Sequence, residues 1–517
     1  MTGSPLSKSP ATGPVLIGID AGTTTIKAIA FAPEGSVLAQ AAAPTPTHHP
    51  RPGWAYHHPE ELWQTVVGLL RDLTARLAAP HRIASVAIAS VGEAAVPLDA
   101  HGRPTYEMIA WFDTRTVAQA EWLGRVVGGR RIFEVSGLAL QPIFGLCKLL
   151  WLRDQAPDAY ARTARWLNTA DYLAYRLCGV QATDFSLASR TLALDVRRRC
   201  WAGDLLAEIG IPPHLFAPLQ ASGTPLGPVL PEVAAATGLP PQTRVAVGGH
   251  DHVCGALALG VVEPGTALNS LGTAEAVFLP IIAPLDDPRL AEQGYAQGLH
   301  VDGEHAYALG GLYTSGACVD WFRAACAPAV DYATLISEAE AIPPGSVGVC
   351  FLPHLRLANP PYLDAKGRGA FVGLSADVTR GALFRAVLEG MACEVRHTLE
   401  PLLGFTSTPL RRIVATGGGA RNTLLIRIKA AVLNQPLYVS HVQEATALGA
   451  ALLGGLGAGV YTGVDNALAA VRQPETAVTP DPEWAAFYAR LYAEVYRHLY
   501  TTLRPLHHAL APFREGE

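Results

Sequence analysis

Four short segments carry side chains whose types and spacing suit chemistry on phosphates and hydroxyls. The first, Gly18-Ile-Asp-Ala-Gly-Thr-Thr-Thr-Ile-Lys27, sets a glycine and three threonines between two apolar runs. Gly22 lets a hairpin turn approach a ligand closely. Thr23, Thr24 and Thr25 offer hydroxyls and turn amides to phosphate oxygens, and Lys27 adds a positive charge. Asp20, ending the first run, is placed to hold Mg²⁺ directly or through water. The plainer alternative is a decorated hairpin whose threonines serve strand propensity. The second segment, Gly248-Gly-His-Asp-His252, follows the apolar run that starts at Arg244. A carboxylate after two glycines at a strand's C-terminal end stands at an open mouth, where α/β sheets bind ligands. Asp251 is thus a candidate acceptor for a proton from a substrate hydroxyl. His250 and His252 invite a zinc hypothesis, but no third ligand is evident.

The third segment, Leu271-Gly-Thr273-Ala-Glu-Ala, pairs Gly272 and Thr273 in a second hairpin turn, and the fourth, Thr416-Gly-Gly-Gly-Ala-Arg-Asn422, reads as a strand-to-helix turn. Amides and a helix N-terminus there suit a phosphate or the adenosine end of a nucleotide. No Walker A pattern and no strict GxGxxG occurs, so P-loop and Rossmann readings fail.

The elements that must position these segments alternate between strand and helix. Val15–Asp20 and Ile26–Phe31 read as a hairpin around Ala21–Thr25, and Glu60–Leu77 repeats Leu62, Val66, Leu69, Leu70 and Leu73 at helical spacing. Ile83–Ala89 follows as a buried strand, then a turn at Gly92 and a strand ending at Asp99. Residues 44–59, dense in Pro and His, form an irregular excursion. Residues 115–235 are helix-rich, and the C-terminal half closes with the strand Arg412–Thr416, the glycine run, two helices and an amphipathic tail around 483–503. The alternation predicts an α/β fold. GIDAGTTTIKAIAF and ALNSLGTAEAVFL share one pattern, an apolar strand, a Gly-Thr turn and an apolar strand, which predicts two related domains facing each other with a boundary near Gly260–Pro264.

With 39 basic against 44 acidic residues, the net charge of −5 argues against nucleic acid or an anionic membrane as partner. Half of the 517 residues are apolar and 16% are charged, enough for large cores and unlike disorder. The eight cysteines lack any CxxC pair and read as buried small hydrophobes in a reducing compartment. Residues 1–13 read as a disordered tail without a secretory h-region, and the apolar stretch Ala445–Tyr461, broken by glycines, is too loose for a membrane span. Together these predict a cytoplasmic protein.

In order and spacing, these motifs resemble the FGGY carbohydrate kinase family, from about residue 14 to about 460. GIDAGTTTIKA resembles its first phosphate loop, GGHDHVCGALALG the segment bearing its catalytic aspartate, and SLGTAEAVF its second phosphate loop. TGGGARN followed by Glu444-x-x-Ala-Leu-Gly-Ala-Ala451 resembles its C-terminal signature, and residues 351–390 are similar to the matching region of xylulokinases. The resemblance implies an α/β fold of two ribonuclease-H-like (actin-like ATPase) domains facing each other across a catalytic cleft. It implies a sugar-binding domain over 14–260 and a nucleotide-binding domain over 261–505. ATP and Mg²⁺ are the implied cofactors, a small sugar or polyol the implied partner, and a homodimer is compatible with it.

Position by position, the resemblance implies Asp251 as general base, in contact with the substrate, and Asp20 as the Mg²⁺ carboxylate. Thr23, Thr24, Lys27 and Thr273 would grip the phosphates, with Gly418, Gly419 and Asn422 on the adenine side. Glu93 and Trp111-Phe-Asp113-Thr-Arg115 fall where the family places sugar contacts, making Glu93, Trp111 and Asp113 candidates; a core Trp111 and a local Asp113–Arg115 ion pair are the alternative. Val91-Gly-Glu93 departs from the xylulokinase Gln-Met-His. Its glutamate is more like glycerol kinases, whose preceding arginine is Gly92 here. Arg427 and Ala431 stand where a Gln and an Asp are usual. The implied reaction is phosphorylation of a ketose such as xylulose, with a polyol as alternative acceptor. Competing readings are an ATPase sensor that phosphorylates no sugar and a metal-dependent hydrolase using His250, Asp251 and His252.

Overall fold

The computed structural model describes residues 13–514, so the tail expected over 1–13 lies outside the described residues apart from Gly13. Each half of the chain forms a mixed sheet on one plan. In the first, the strands run in the order Val37–Pro44, Thr25–Phe31, Val15–Ala21, Ile83–Ser90, Arg244–Ala246. In the second, the order Ala306–Leu312, Glu275–Ile281, Thr266–Leu271, Arg412–Thr416, Leu437–Ser440 repeats it. Both sheets start with an antiparallel hairpin extended by a third antiparallel strand, then add two parallel strands beside the first. The duplication anticipated from the two Gly-Thr hairpins is therefore present at the level of strand order. The α/β fold of two ribonuclease-H-like domains is what these sheets build.

Between the sheets lie two helices, Asp251–Ala258 and Ala445–Gly457, and one apolar cluster joins residues of both sheets to both helices. The glycine-broken stretch near 450 is explained by this layer. A β-carbon on Gly18 would stand 1.7 Å from the Ala447 carbonyl oxygen, and one on Gly449 would stand 1.9 Å from that of Cys254. Backbone lies against backbone here, which only residues without a side chain permit. A helix from the second half thus seats on the first half's sheet, so the two halves share part of their core. Gly449→Ala should lower the melting temperature by the equivalent of about 1–3 kcal/mol. Gly463→Ala, with no atom within 4 Å of the added carbon, should leave it unchanged; equal melting of the two variants by calorimetry would contradict the close packing.

Helix Pro59–Arg76 buries Leu62, Val66, Leu69, Leu70 and Leu73 as their spacing requires. The strand expected after Gly92 exists as Ala95–Leu98 but leaves the main sheet and pairs with Arg165–Asn168. Residues 44–58 run irregularly to a two-residue strand, Tyr56–His57, paired with Met108–Ile109 just before Trp111. Among the described residues no helix is long and apolar enough to cross a membrane.

Candidate active site

Asp251 is the first residue of helix Asp251–Ala258, not the last of a strand as the glycines before it suggest, and His250 occupies the N-cap with extended backbone. The short strand Gly249–His250 continues beside Ser90 at the end of Ile83–Ser90, which delivers Asp251 to the sheet's C-terminal edge. Asp251 Oδ1 accepts from the His252 amide at 2.6 Å, and the carboxylate stays partly exposed. The backbone before it is pinned: the His250 amide donates to Ser186 Oγ at 2.8 Å, and Ser186 Oγ donates to Asp184 at 2.6 Å. The His250 and His252 rings stack 5.7 Å apart. Burial holds His250 neutral, with its pKa pushed down to about 3. His250, Asp251 and His252 are not among the residue groups whose ligand atoms converge tightly enough for a metal ion, so the hydrolase reading has no geometric support among the described residues.

Asp251 lines a cavity of about 440 Å³ between the sheets, with Thr23, Glu93, Trp111, Arg190 and Tyr313 among its walls. A second cavity of about 590 Å³ lies on the C-terminal half, lined by Thr273, Gly418, Gly419, Arg421 and Asn422. Gly272 lines both, so the two spaces meet at the turn of the second hairpin. That turn is held from behind: the Gly272 and Thr273 carbonyls accept from the amides of Gly316, Ser315 and Ala317 at 3.1 Å. Glu275, beside it, is buried in an ion pair with Lys429 and accepts from Ser315 Oγ at 2.5 Å. Gly417, at φ +97°, brings the glycine run onto the hairpin, where a β-carbon would stand 2.4 Å from the Leu271 carbonyl oxygen. Asn422 caps the following helix through its side-chain oxygen, which accepts from the Leu425 amide at 3.1 Å.

Asp20, next to last in its strand, lies opposite Lys27 in the hairpin register. Burial first, and the charge of Asp251 second, push its carboxyl up to about 7, against the pull of Lys27. Two carboxylates close enough to repel in this way are a donor set that a hard divalent cation fits.

Several expected contacts fall elsewhere. Lys27 does not line either cavity; its Nζ pairs with Glu444 Oε2 at 2.7 Å, joining the first hairpin to the N-terminus of helix Ala445–Gly457. Of the first loop, Thr23 reaches the Asp251 cavity, where its Oγ1 accepts from Trp111 Nε1 at 2.8 Å. Gly22, Thr24 and Thr25 line neither space: the Gly22 carbonyl accepts from Thr45 Oγ1, the Thr24 carbonyl accepts from the Thr45 amide, and Thr25 opens the next strand. Asp113 is a correction as a sugar contact. Its carboxylate is closed off by Arg115 Nε and Nη2 at 2.8–2.9 Å and the Ala55 amide at 2.6 Å, and it does not line the cavity. The ion-pair alternative describes it. Arg427 lies on the outer face against Glu340 and Trp484, and Ala431 is buried in the core, so neither departure borders the nucleotide-side cavity.

Arg190 is the residue that reading the sequence missed. Its guanidinium pairs with Glu93 Oε1 at 2.5 Å, both side chains nearly buried. Burial opposes its charge, but Glu93 and the Tyr307 phenol outweigh that and push its pKa up. A β-carbon on Gly92 would stand 2.5 Å from the Arg190 side chain and 2.7 Å from His250. Gly92 is therefore small because an arginine arriving from residue 190 fills the space beside Glu93.

The N-terminal domain of the FGGY family of carbohydrate kinases matches residues 15–258 and the C-terminal domain matches 267–458. A xylulose kinase of Bacillus subtilis (strain 168) is 28% identical over 97% of this chain and 99% of its own. A glycerol kinase of Thermus brockianus is 33% identical over 86% of this chain and 90% of its own. Among solved structures, xylulose kinase from Rhodospirillum rubrum superposes with a TM-score of 0.88 at 29% identity, covering 96% of this chain and all of that one. With the family's two domains spanning most of its length and the same two-sheet architecture, the chain belongs to the FGGY family of carbohydrate kinases.

Proposed function

We propose that this kinase transfers the γ-phosphoryl group of ATP to a hydroxyl of a small neutral ketose such as xylulose, with Asp251 as general base. The observation that carries this reading is that Gly272 lines both cavities while Asp251 faces only one. A nucleotide seated along Gly418, Gly419 and Asn422 would run its phosphates past Thr273 and Gly272 toward Asp251. Asp251 then accepts the hydroxyl proton as the new oxygen–phosphorus bond forms and the bond to the ADP oxygen breaks. Glu93 and Arg190 orient the remaining hydroxyls, and Trp111 walls the space against water.

The one guanidinium lining the cavity, Arg190, is already paired with Glu93, and Asp251 adds an unpaired negative charge beside it, which disfavours a sugar acid. Xylulose kinases match this chain over nearly its whole length, which favours a five-carbon acceptor. A polyol is the second reading, favoured by the Glu93–Arg190 pair, an acceptor and donor set that needs no carbonyl. An ADP-release screen over ketopentoses, ketohexoses, tetritols, glycerol and sugar acids decides. Highest kcat/KM on a ketopentose supports the proposal, the same on glycerol or a tetritol supports the second reading, and turnover confined to sugar acids sinks both.

Asp20 is the carboxylate that would hold Mg²⁺, which supplies charge neutralisation along the phosphates when bound. Its carboxyl, raised to about 7, must lose its proton to act as a ligand, so cation affinity should rise as pH increases through that value. Calorimetry of Mg²⁺–nucleotide binding at pH 7 should detect proton release, and Asp20→Asn should abolish it. Release persisting in that variant would remove Asp20 from the role.

A further inference from the structure

The Pro- and His-rich excursion over 44–58 has no part in the reaction above, yet it gathers an unusual set of side chains. His48 Nε2 lies 2.6 Å from Glu61 Oε2, and the His48 and His58 rings meet edge-on at 4.8 Å. One ligating atom from each of His48, His58 and Glu61 falls within 4.8 Å of the other two, the one such group among the described residues. The framework beneath them is fixed. His48 and Tyr56 exchange backbone hydrogen bonds at 2.8 and 3.0 Å, and Tyr56 stacks on the His48 ring. Glu61 stands in the first turn of helix Pro59–Arg76. His58 occupies that helix's N-cap, where Ser, Thr, Asp or Asn normally bonds a free amide, but its side chain makes no capping bond and packs toward His48 instead.

We propose that His48, His58 and Glu61 form a binding site for a divalent transition cation of the zinc class. Two neutral imidazoles and one carboxylate are a donor set of borderline softness, which suits Zn²⁺ and is wrong for Mg²⁺ or Ca²⁺. Zinc bonds of about 2.0–2.2 Å put tetrahedral ligands about 3.3 Å apart, a small closure for three side chains that are at least partly exposed. The exposure leaves the fourth position to solvent. A bound ion would staple the excursion to the helix below it. The excursion's other end is tied to the first hairpin turn through Thr45, whose hydroxyl donates to the Gly22 carbonyl at 2.7 Å. Its Tyr56–His57 strand pairs with Met108–Ile109, ahead of Trp111. The ion would therefore brace, from outside, the segment that links the turn bearing Thr23 to the strand ahead of Trp111.

The test uses full-length protein stripped with EDTA and carrying Cys326→Ser, which removes the one fully exposed thiol. Zn²⁺ is titrated in competition with a chromophoric chelator. The proposal expects one equivalent bound per chain, untouched by excess Mg²⁺, with affinity falling more than about tenfold in His58→Ala and in Glu61→Gln. It also expects Zn²⁺ to raise the melting temperature of the parent protein and not of His48→Ala/His58→Ala. Superimposable isotherms for parent and double variant, or no binding by the parent, would overturn it. Because every readout is binding or melting, the result is independent of which acceptor the kinase uses.

Discussion

Asp251→Asn should reduce kcat for acceptor phosphorylation by about 10²–10⁴-fold, the usual worth of a positioned general base. Asparagine keeps a side-chain oxygen that can still accept from the His252 amide, so the start of helix Asp251–Ala258 should survive. Nucleotide affinity should hold, because the second cavity is built from residues of the other half. The Asp20 ligand for the cation should survive in this variant. The charge of Asp251 is one of the causes that raise the Asp20 carboxyl, so removing it lets Asp20 ionise more readily. Steady-state kinetics with ADP detection, paired with nucleotide titration, checks both statements. A kcat within about threefold of the parent would contradict the assignment, given the expected range.

The second large effect is expected at the Glu93–Arg190 pair. Arg190→Leu leaves a nearly buried carboxylate without its counter-charge, a change that costs about 3 kcal/mol or more. Separately, loss of a charged hydrogen-bond donor to the acceptor, worth about 1.5–3 kcal/mol, should lower kcat/KM for the acceptor by about 10- to 100-fold, with the ATP KM nearly unchanged. Glu93→Gln combined with Arg190→Leu removes both charges and should recover part of the loss. A double variant no better than Arg190→Leu, or equal losses for acceptor and ATP, would show that the pair supports the fold rather than the substrate.

How far these sites could be read from the sequence depended on how local their causes were. Both hairpins, Thr25–Phe31 after Val15–Ala21 and Glu275–Ile281 after Thr266–Leu271, were legible because apolar runs and a Gly-Thr turn declare themselves within a dozen residues. Asp251 was legible in position but not in setting: two glycines read as a strand ending in an open mouth, while the chain turns directly into a helix. Asp113 was misread for a related reason. Trp111-x-Asp113-x-Arg115 has the spacing of a polar wall, but i and i+2 side chains can equally close on each other, and the buried Ala55 amide decides the matter.

What could not be read were pairs joined through space. Arg190 meets Glu93 across 97 residues, and Lys27 meets Glu444 across 417. No periodicity or turn signal links such positions; only the packing that makes Gly92 a glycine shows where the guanidinium comes from. The role of Gly18 and Gly449 in the middle layer was hidden likewise, since a glycine in an apolar run looks the same whether it bends the chain or admits another backbone.

The most direct measurement is a crystal structure with a non-hydrolysable ATP analogue, Mg²⁺ and an acceptor found by the screen. Adenine should lie beside Gly418, Gly419 and Asn422, the phosphates should cross the turn at Gly272 and Thr273, and the terminal phosphate should face an acceptor hydroxyl held by Asp251. A terminal phosphate turned away from Asp251, or an acceptor bound outside the cavity that Glu93 and Arg190 line, would contradict this arrangement.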